Sequence, residues 1–285
     1  MATDIITRSG CRLEERADAP YKTEEFDLKN KKDIISKWDA EMYDREETET
    51  YDVEFALSLI GNSPKRVLEI ACGSGRFLVP FAKAGHDITG LDLDEHMLDR
   101  ISAKADGLHN IHWKRSDVIN DEWEKDFDVV LIAANFLTNI DSDTDYEKAQ
   151  DLLIRKAYDS LVKGGYVFVD YGYTFHPEYW FGDPRPNLIW EGTDSEGNYG
   201  KMILLDSTYD EKTGMASYIR KIEMTFADGE KYVQEVPERK HFVEVSQVRI
   251  WLENAGFEIL NEWGDYCKNP ISEQTSRAIL WAKKK

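Results

Sequence analysis

The 285-residue sequence contains few cysteines, and the three that it has, Cys11, Cys72 and Cys267, are far apart. Such a set offers neither a disulfide framework nor the paired spacing of a zinc site. The sequence also lacks an apolar run close to the ~20 residues that cross a bilayer, and its first residues lack the apolar core of a signal peptide. These absences predict a cytoplasmic protein that is not inserted in a membrane.

Positive charge is scarce as well, with 36 Lys and Arg against 55 Asp and Glu and a formal net charge of -19. The negative electrostatic potential of such a protein repels phosphate backbones and anionic lipids, so neither nucleic acid nor a membrane surface is an expected partner. It favours cationic or neutral small substrates, although surface acids also simply maintain solubility. The acidic run at 141–145 lacks the pattern of a calcium loop, and no metal site is expected. A homo-oligomer is left open.

The most informative segment that is present joins an apolar run to a glycine-rich turn. It reads VLEIACGSGR at residues 67–76, and GLDLD at 90–94 follows about 20 residues later. This is the front of a nucleotide-binding βαβ unit. A dinucleotide-binding turn has a third small residue where this chain has Leu78. Glu69 ends the strand in a place poorly suited to phosphates and better suited to a ligand with a cationic amino-acid end.

Strand and helix patterns alternate through the following hundred residues. Strands are predicted at 66–71, 87–92, 111–114, 127–133 and 166–171, with helices at 76–84, 94–105 and 146–161. Such alternation indicates parallel strands, right-handed crossovers and helices on both faces of the sheet. One or two helices are predicted over 33–60, behind a mobile lead-in of about 30 residues. Asp94 is predicted to cap the helix that follows it.

The pattern changes to short alternating segments between residues 176 and 245. Segments at 188–191, 201–209, 216–226 and 231–236, joined by hairpin turns, predict a small antiparallel sheet. Ser246 is expected to cap a helix, and strands at 258–263 and 277–282 finish the chain. The fold class is therefore α/β: a Rossmann-like, doubly wound, mostly parallel seven-stranded sheet with an inserted antiparallel β lid.

The motif at 69–75, the acid Asp92 and the sheet inserted after the fifth strand resemble class I S-adenosylmethionine (SAM) dependent methyltransferases. In layout the chain is similar to glycine/sarcosine and sugar N-methyltransferases from about residue 39 to its last residue. The resemblance implies SAM as cofactor and in-line methyl transfer to nitrogen or oxygen of a small molecule, nitrogen being slightly preferred. The sugar enzymes' histidine after the fourth strand is missing at 138–139, and the prolines of nucleic-acid amino-methylating enzymes are missing at 134–137.

The resemblance also divides the chain into four parts. A helical lead-in and cap is expected over 1–60, the SAM-binding core over 61–175, the inserted substrate lid over 176–245, and a helix and strands that complete the core over 246–285. Twelve residues are expected to contact the cofactor: Glu69, Ala71, Cys72, Gly73, Gly75, Asp92, Leu93, Met97, Asp117, Val118, Asn135 and Phe136.

These residues suit the separate groups of SAM. Asp92 can accept both ribose hydroxyls, and Glu69 would organise the loop or reach the methionine ammonium. The backbone at 71–73 must approach the ligand closely, which accounts for the glycines of the turn. Cys72 lies near a helix N-terminus, which would lower its pKa, but no histidine is paired with it and a small-residue role is favoured.

The adenine and the sulfonium are assigned to later segments. Leu93 and Met97 would wall one face of the adenine, and Asp117 with the Val118 N–H would bond its edge. Segment 135–137, just past the fourth strand, is expected beneath the sulfonium and facing the acceptor.

Four residues are candidates for assisting catalysis: Tyr43, Tyr173, His176 and His241. Tyr43 would close over the site, and the others flank the inserted sheet. The alternative is a structural role, in which the aromatic residues pack between the core and the inserted sheet and His241 caps a helix or pairs with a carboxylate. Three other functions are weighed against a methyltransferase: a non-catalytic SAM-binding protein, a nicotinamide oxidoreductase, which Leu78 disfavours, and an aminopropyltransferase, which needs acids of which Asp170 is the obvious one.

Overall fold

The computed structural model describes residues 21–140 and 145–285, and of residues 21–27 and 29 the backbone alone. The helices are α1 Tyr21–Glu46, α2 Tyr51–Ile60, α3 Leu78–Lys83, α4 Glu95–Asp99, α5 Ile101–Lys104, α6 Tyr146–Ser160, α7 Pro177–Phe181 and α8 Val245–Ala255. The strands are β1 Arg66–Ile70, β2 Asp87–Asp92, β3 Ile111–Arg115, β4 Phe127–Ile132, β5 Leu161–Gly172, β6 Asn187–Thr193, β7 Tyr199–Asp210, β8 Met215–Thr225, β9 Lys231–His241, β10 Phe257–Trp263 and β11 Arg277–Lys284. None of the described helices is long and apolar enough to span a membrane.

A seven-stranded sheet with the order β10-β11-β5-β4-β1-β2-β3 organises the chain. Strands β1 to β5 pair in parallel, whereas β11 runs antiparallel to both β5 and β10. The second sheet has four antiparallel strands in the order β6-β7-β8-β9. The predicted fold class is confirmed.

Apolar residues cover both faces of the large sheet. On β1, Leu68 and Ile70 join the cluster beneath α6 and α8, whereas Val67 joins the cluster beneath α2 and α3. Successive side chains of a strand point to opposite faces, so β1 is buried on both sides, as a central parallel strand requires. Glu69 lies between Leu68 and Ile70 and therefore points to the α3 side.

Leu78 fits at the start of α3 because the residue opposite it on β2 is a glycine. A Cβ on Gly90 would lie 2.6 Å from both Leu78 Cδ1 and Cys72 Sγ. In dinucleotide-binding turns the small residue that allows close packing is on the helix. Here the small residue is on the strand, and the helix contributes the large one.

We expect Gly90→Ala to lower the free energy of unfolding by about 2 kcal/mol, the usual cost of overpacking a core. Denaturant unfolding followed by tryptophan fluorescence measures this change. In a Leu78→Ala background the added methyl group has more room, so the two substitutions should couple by about 1 kcal/mol. Strictly additive losses would contradict the close contact between Gly90 and Leu78.

Helix α1 connects the two sheets. Its side chains Ile35, Trp38 and Met42 form a cluster with residues of the inserted sheet, and Trp38 Nε1 donates to the Gly192 carbonyl over 2.9 Å. On the other side of the helix, Asp44 accepts hydrogen bonds from Ser74 of the glycine loop, from Arg100 between α4 and α5, and from Lys104 at the end of α5. The helix therefore holds the inserted sheet over the glycine loop.

Several predicted boundaries are corrected. The lead-in was expected to extend to about residue 30, but α1 begins at Tyr21, because the segment is rich in Lys and Glu and contains neither glycine nor proline. Residues 1–20 of that lead-in lie outside the described residues. Glu244, not Ser246, precedes the first residue of α8. The helix predicted over 94–105 is divided at Arg100, although Asp94 caps it as predicted.

Candidate active site

The loop after β1 is shaped by residues with a left-handed backbone. Ala71, Gly73 and Gly75 have φ of 53°, 53° and 87°. A Cβ on Gly73 would meet no atom within 4 Å, whereas one on Gly75 would lie 3.1 Å from Ile101 Cγ1. The backbone at Gly73 therefore faces open space, and Gly75 packs against α5.

Asp92 holds this loop from the end of β2. Its Oδ2 accepts the Gly73 N–H over 2.7 Å, and its Oδ1 accepts the Asp94 N–H over 2.9 Å. Burial raises the pKa of Asp92, and these backbone donors oppose the rise. Each oxygen keeps a lone pair beyond its backbone contact.

Two buried polar atoms near the loop lack partners. Glu69 is buried, and its Oε2 has no hydrogen-bond partner among the described residues. Burial raises its pKa well above the usual range, while the nearby Arg76 guanidinium opposes the rise. Arg76 forms a bidentate pair with Asp52, over 2.7 and 2.6 Å, yet its buried Nε has no partner in the described chain either. An acidic oxygen and a guanidinium N–H are thus left unpaired by the protein itself.

Cys72 differs from one expectation. Burial and the nearby acids Glu69 and Asp92 raise the pKa of its thiol well above the usual value, so the helix N-terminus does not lower it. The side chain packs against Gly90. The favoured role as a small buried residue agrees with this position.

The side expected to hold adenine is formed by the segments after β2 and β3. Leu93 is exposed, Met97 is half-buried and Val118 is buried. The Asp117 carboxylate accepts the backbone N–H groups of Ile119 and Asn120 over 2.9 and 3.1 Å. The Asn120 side-chain amide, which donates to the same carboxylate over 2.8 Å, and these backbone donors lower the pKa of Asp117. The carboxylate therefore stabilises its own turn.

The segment after β4 is tied to the far side of the sheet. Asn135 has φ 65°, and its Oδ1 accepts from the Gly172 N–H over 2.7 Å and from Arg277 Nη2 over 3.3 Å. Arg277 Nε in turn donates to the fully buried Asp170 over 2.8 Å, and Tyr266 donates to the same carboxylate over 3.0 Å. Phe136 begins a short 3-10 turn directly after Asn135.

Arg76 and the segment after β4 line a cleft of about 420 Å³ at the carboxyl ends of the parallel strands. Of the twelve predicted cofactor residues, Asn135 is the one that lines it. The lining residues are Tyr43, Glu47, Glu49, Tyr51, Asp52, Arg76, Ala134, Asn135, Asn139, Trp190, Lys240, Tyr266 and Arg277. A larger cavity of about 540 Å³ lies between α1, α4 and the turn after β6, and no residue of the loop at 71–76 lines it. The smaller cleft is therefore the candidate site, because ligands of open α/β sheets bind at the carboxyl ends of the strands.

Residues 67–165, from β1 into β5, match the family described as Methyltransferase domain. The chain is a class I, SAM-dependent methyltransferase. A Geobacillus sp. (strain WCH70) protein with a provisional methyltransferase name is 26% identical over 222 residues, which cover 77% of this chain and 85% of that protein. This identification replaces the nicotinamide oxidoreductase that the sequence left as an alternative.

Solved structures support the fold of the methyltransferase over its whole length. A SAM-dependent methyltransferase from Clostridium acetobutylicum is 16% identical, covers 90% of this chain and 99% of its own, and has a TM-score of 0.64. A sugar N-methyltransferase from Streptoalloteichus sp. is 14% identical, covers 100% and 99%, and has a TM-score of 0.65. At these identities the likeness concerns the fold.

The structure brings only one of the four candidate catalytic residues to the cleft of the methyltransferase. Tyr43 lines it, and burial raises the pKa of its phenol. Tyr173 instead donates to Glu244 over 2.8 Å, and its ring stacks on Phe242. The exposed His176 has Nδ1 3.2 Å from Glu178.

His241 is buried, with Nδ1 2.7 Å from Gln150 Oε1 and Nε2 3.7 Å from Glu147. Like Tyr173 and His176, it is not among the residues described as lining the cleft. The structure therefore does not bring these three residues to the cleft, and their polar atoms contact other side chains of the protein. For His241 the position agrees with the structural alternative, a contact with a carboxylate.

The buried position of His241 predicts a pH effect on stability. Burial lowers its pKa below 6.5, so the folded protein takes up a proton less readily than the unfolded chain. Its contribution is fully present above about pH 6.5 and decreases as the pH falls toward the folded pKa. We expect His241→Gln to lose less stability than the parent between about pH 7 and about pH 5. Unfolding curves at both pH values test this, and equal losses would contradict it.

Sequence reasoning missed most of the lining residues. Arg76 directly follows the glycine motif in the sequence. That position alone could have marked it as a candidate for the site. Asp52, Lys240, Tyr266 and Arg277 come from separate elements and carry no local motif. Among residues 21–140 and 145–285, no group of three His, Cys, Asp or Glu side chains is arranged to hold a metal ion.

Proposed function

We propose that this methyltransferase transfers the methyl group of SAM to an amine nitrogen of a small molecule. The observation that carries the proposal is the cleft of about 420 Å³ beside the glycine loop, enclosed by α1 and the inserted sheet. A volume of this size suits a small ligand rather than a folded protein. The similar fold of the Streptoalloteichus sugar N-methyltransferase supports nitrogen as the methylated atom.

The residues present fit SAM. The unpaired Glu69 Oε2 suits the methionine ammonium, and the unpaired Arg76 Nε suits the methionine carboxylate. The open space at Gly73 allows the ligand to approach the backbone, and Asp92 keeps lone pairs for the ribose hydroxyls. When bound, SAM supplies a methyl group on a sulfonium leaving group.

The remaining cofactor contacts are proposed on the other side of Asp92. Leu93, Met97 and Val118 form an apolar wall for the adenine. The Asp117 carboxylate already accepts three hydrogen bonds within its own turn. Asp117 would therefore contact the edge of the adenine through its backbone and one remaining carboxylate lone pair. Asn135 and Phe136 lie after β4, between this wall and the acceptor cleft.

The protein's part in the reaction is mainly to position the acceptor in line with the methyl group. Tyr43 stays protonated because burial raises its pKa, so it orients the acceptor by a hydrogen bond rather than acting as a base. The acceptor reacts as the neutral amine, because an ammonium has no lone pair with which to attack the methyl group. Asn135 lines the cleft, and its side-chain oxygen is held in place by the Gly172 N–H and by Arg277.

Calorimetric titration with SAM, S-adenosylhomocysteine and NADH tests the cofactor half of the proposal. We expect the adenosyl ligands to bind and NADH not to bind. Transfer of a radiolabelled methyl group to matched pairs, such as an amino sugar and the corresponding hydroxy sugar, then tests the acceptor atom. Methylation of hydroxyl compounds alone would overturn the choice of nitrogen, and SAM binding without transfer would favour a non-catalytic SAM-binding protein.

A further inference from the structure

The inner face of the inserted sheet changes from apolar to polar toward the cleft. Met202, Ile222 and Met224 pack against α1. Further along the same face, the register pairs Tyr218 with Glu238 and Ala216 with Lys240. Residues directly opposite each other in an antiparallel pair share a face, so Tyr218, Glu238 and Lys240 all point the same way as the apolar cluster.

Most charges on this polar part are compensated by the protein. Arg220 Nε is 2.6 Å from Glu238 Oε1, and Arg220 Nη1 is 3.7 Å from Asp39 Oδ2. Burial and the nearby Glu238 carboxylate raise the pKa of the Tyr218 phenol. Glu238 is therefore paired with Arg220 on its own face.

Lys240 lacks such a partner. It is half-buried and lines the cleft, and its Nζ lies 5.8 Å from the centroid of the Tyr218 ring. Within residues 21–140 and 145–285 no carboxylate oxygen lies within 4.0 Å of this ammonium. Burial lowers the pKa of Lys240 in this position.

The other cations that line the cleft differ in this respect. Arg76 is paired with Asp52, and Arg277 is paired with Asp170. A partly buried cation without a counter-charge is unfavourable, and a ligand that brings a negative charge relieves the cost. Lys240 is thus the lining cation that a bound anion would stabilise most.

We propose that Lys240 recognises the acceptor by binding an anionic group, a carboxylate or a phosphate, carried by the amine that is methylated. This inference rests on the proposed function. Glu47 and Glu49, which line the cleft from the α1–α2 connection, are exposed and hydrated, so solvent and salt screen their repulsion of such an anion. The net charge of -19 disfavours anionic ligands at long range, but the unpaired ammonium decides the preference inside the cleft.

The first test compares acceptors that differ only in their charged group. Glucosamine, glucosamine 6-phosphate and glucosaminuronic acid present the same ring amine with no anion, a phosphate at C6 and a carboxylate at C6. We expect one of the anionic compounds to have the lowest KM, and Lys240→Gln to raise that KM about ten-fold. The better of the two anions identifies which group the acceptor carries.

Two further variants separate recognition from other effects. Lys240→Arg keeps the cation and should retain the low KM, whereas a residue acting as a base would lose kcat in this variant. Arg239→Gln removes one positive charge from the neighbouring exposed position on the opposite face and should change nothing. Equal KM values for charged and neutral acceptors, or equal losses in Arg239→Gln and Lys240→Gln, would overturn the proposal.

A second test does not depend on turnover. Acetylation of lysines by a trace amount of N-hydroxysuccinimidyl acetate is followed by mass spectrometry with and without inorganic phosphate or acetate, in the presence of S-adenosylhomocysteine. We expect one of the anions to slow acetylation of Lys240 but not of Lys201, which lies outside the cleft. Absence of protection by both anions would overturn the inference while leaving methyl transfer to neutral amines intact. Protection without methyl transfer would count against the proposed function instead.

Discussion

Asp170→Asn is expected to lower the free energy of unfolding by about 3 kcal/mol, the largest single loss that we predict. The Asp170 side chain is fully buried, lies 2.8 Å from Arg277 Nε and accepts the Tyr266 hydroxyl over 3.0 Å. An asparagine of the same shape leaves the Arg277 guanidinium without its counter-charge. Removing one partner of a buried ion pair costs more than the pair itself contributes, because the other charge stays desolvated.

Asp183 provides the matched control for this prediction. It forms a two-pronged pair with Arg185, in which Arg185 Nε is 3.0 and 2.9 Å from the two carboxylate oxygens, but the pair is exposed. Exposed pairs contribute little because water and salt screen them. Asp183→Asn should therefore leave the unfolding curve unchanged.

A double variant tests the cause of the loss at Asp170. In Asp170→Asn with Arg277→Met the uncompensated charge is gone, so part of the stability should return. Chemical denaturation measured by circular dichroism compares the variants. A double variant that is less stable than Asp170→Asn would show that Arg277 stabilises the fold through other contacts, such as its hydrogen bond with Asn135.

Asp92→Ala is expected to weaken the binding of SAM by about 2 kcal/mol, or about thirty-fold, because two charge-assisted hydrogen bonds with the ribose are lost. The control is Asp87→Ala, which removes a carboxylate from the exposed amino end of the same strand. Calorimetric titration measures both variants. Unchanged affinity of Asp92→Ala would remove Asp92 from the ribose role.

Asp92 also holds the glycine loop, so a second ligand must separate the two roles. S-adenosylhomocysteine and its 2′-deoxy analogue differ by one ribose hydroxyl. If Asp92 binds the ribose, the parent protein should prefer the hydroxylated ligand and Asp92→Ala should lose much of that preference. If the substitution only disturbs the Gly73 contact, both ligands should weaken equally.

The large sheet could be predicted from the sequence because its signals are local. Buried strands such as β1 and β4 are short apolar runs bounded by turn residues, and the Gly-x-Gly turn at 73–75 marks where the backbone must become left-handed. The β11 strand and the inserted hairpins were likewise visible as alternating patterns. Strand ends differ by a few residues, because pairing with neighbouring strands extends them; β5 starts at Leu161 rather than at residue 166.

The acceptor side of the site could not be predicted in the same way. Asp170 and Arg277 are 107 positions apart, and His241 and Gln150 are 91 positions apart. The sequence placed His241 at the re-entry from the inserted sheet, next to the acceptor. Which way that side chain points depends on the register of β9, and the register directs it to the buried amide of α6.

The sequence by itself determined the fold class, the glycine loop and the acid that holds it, since periodicity and turn chemistry act over a few residues. Only the tertiary structure decided that Arg76 is paired with Asp52 and that Tyr43 is the candidate residue at the cleft. It also decided that Lys240 is the lining cation with no carboxylate oxygen of the described residues within 4.0 Å. The physical reason is that burial and charge compensation depend on all the elements that meet around a group. No local sequence pattern indicates which distant residues come together around such a group.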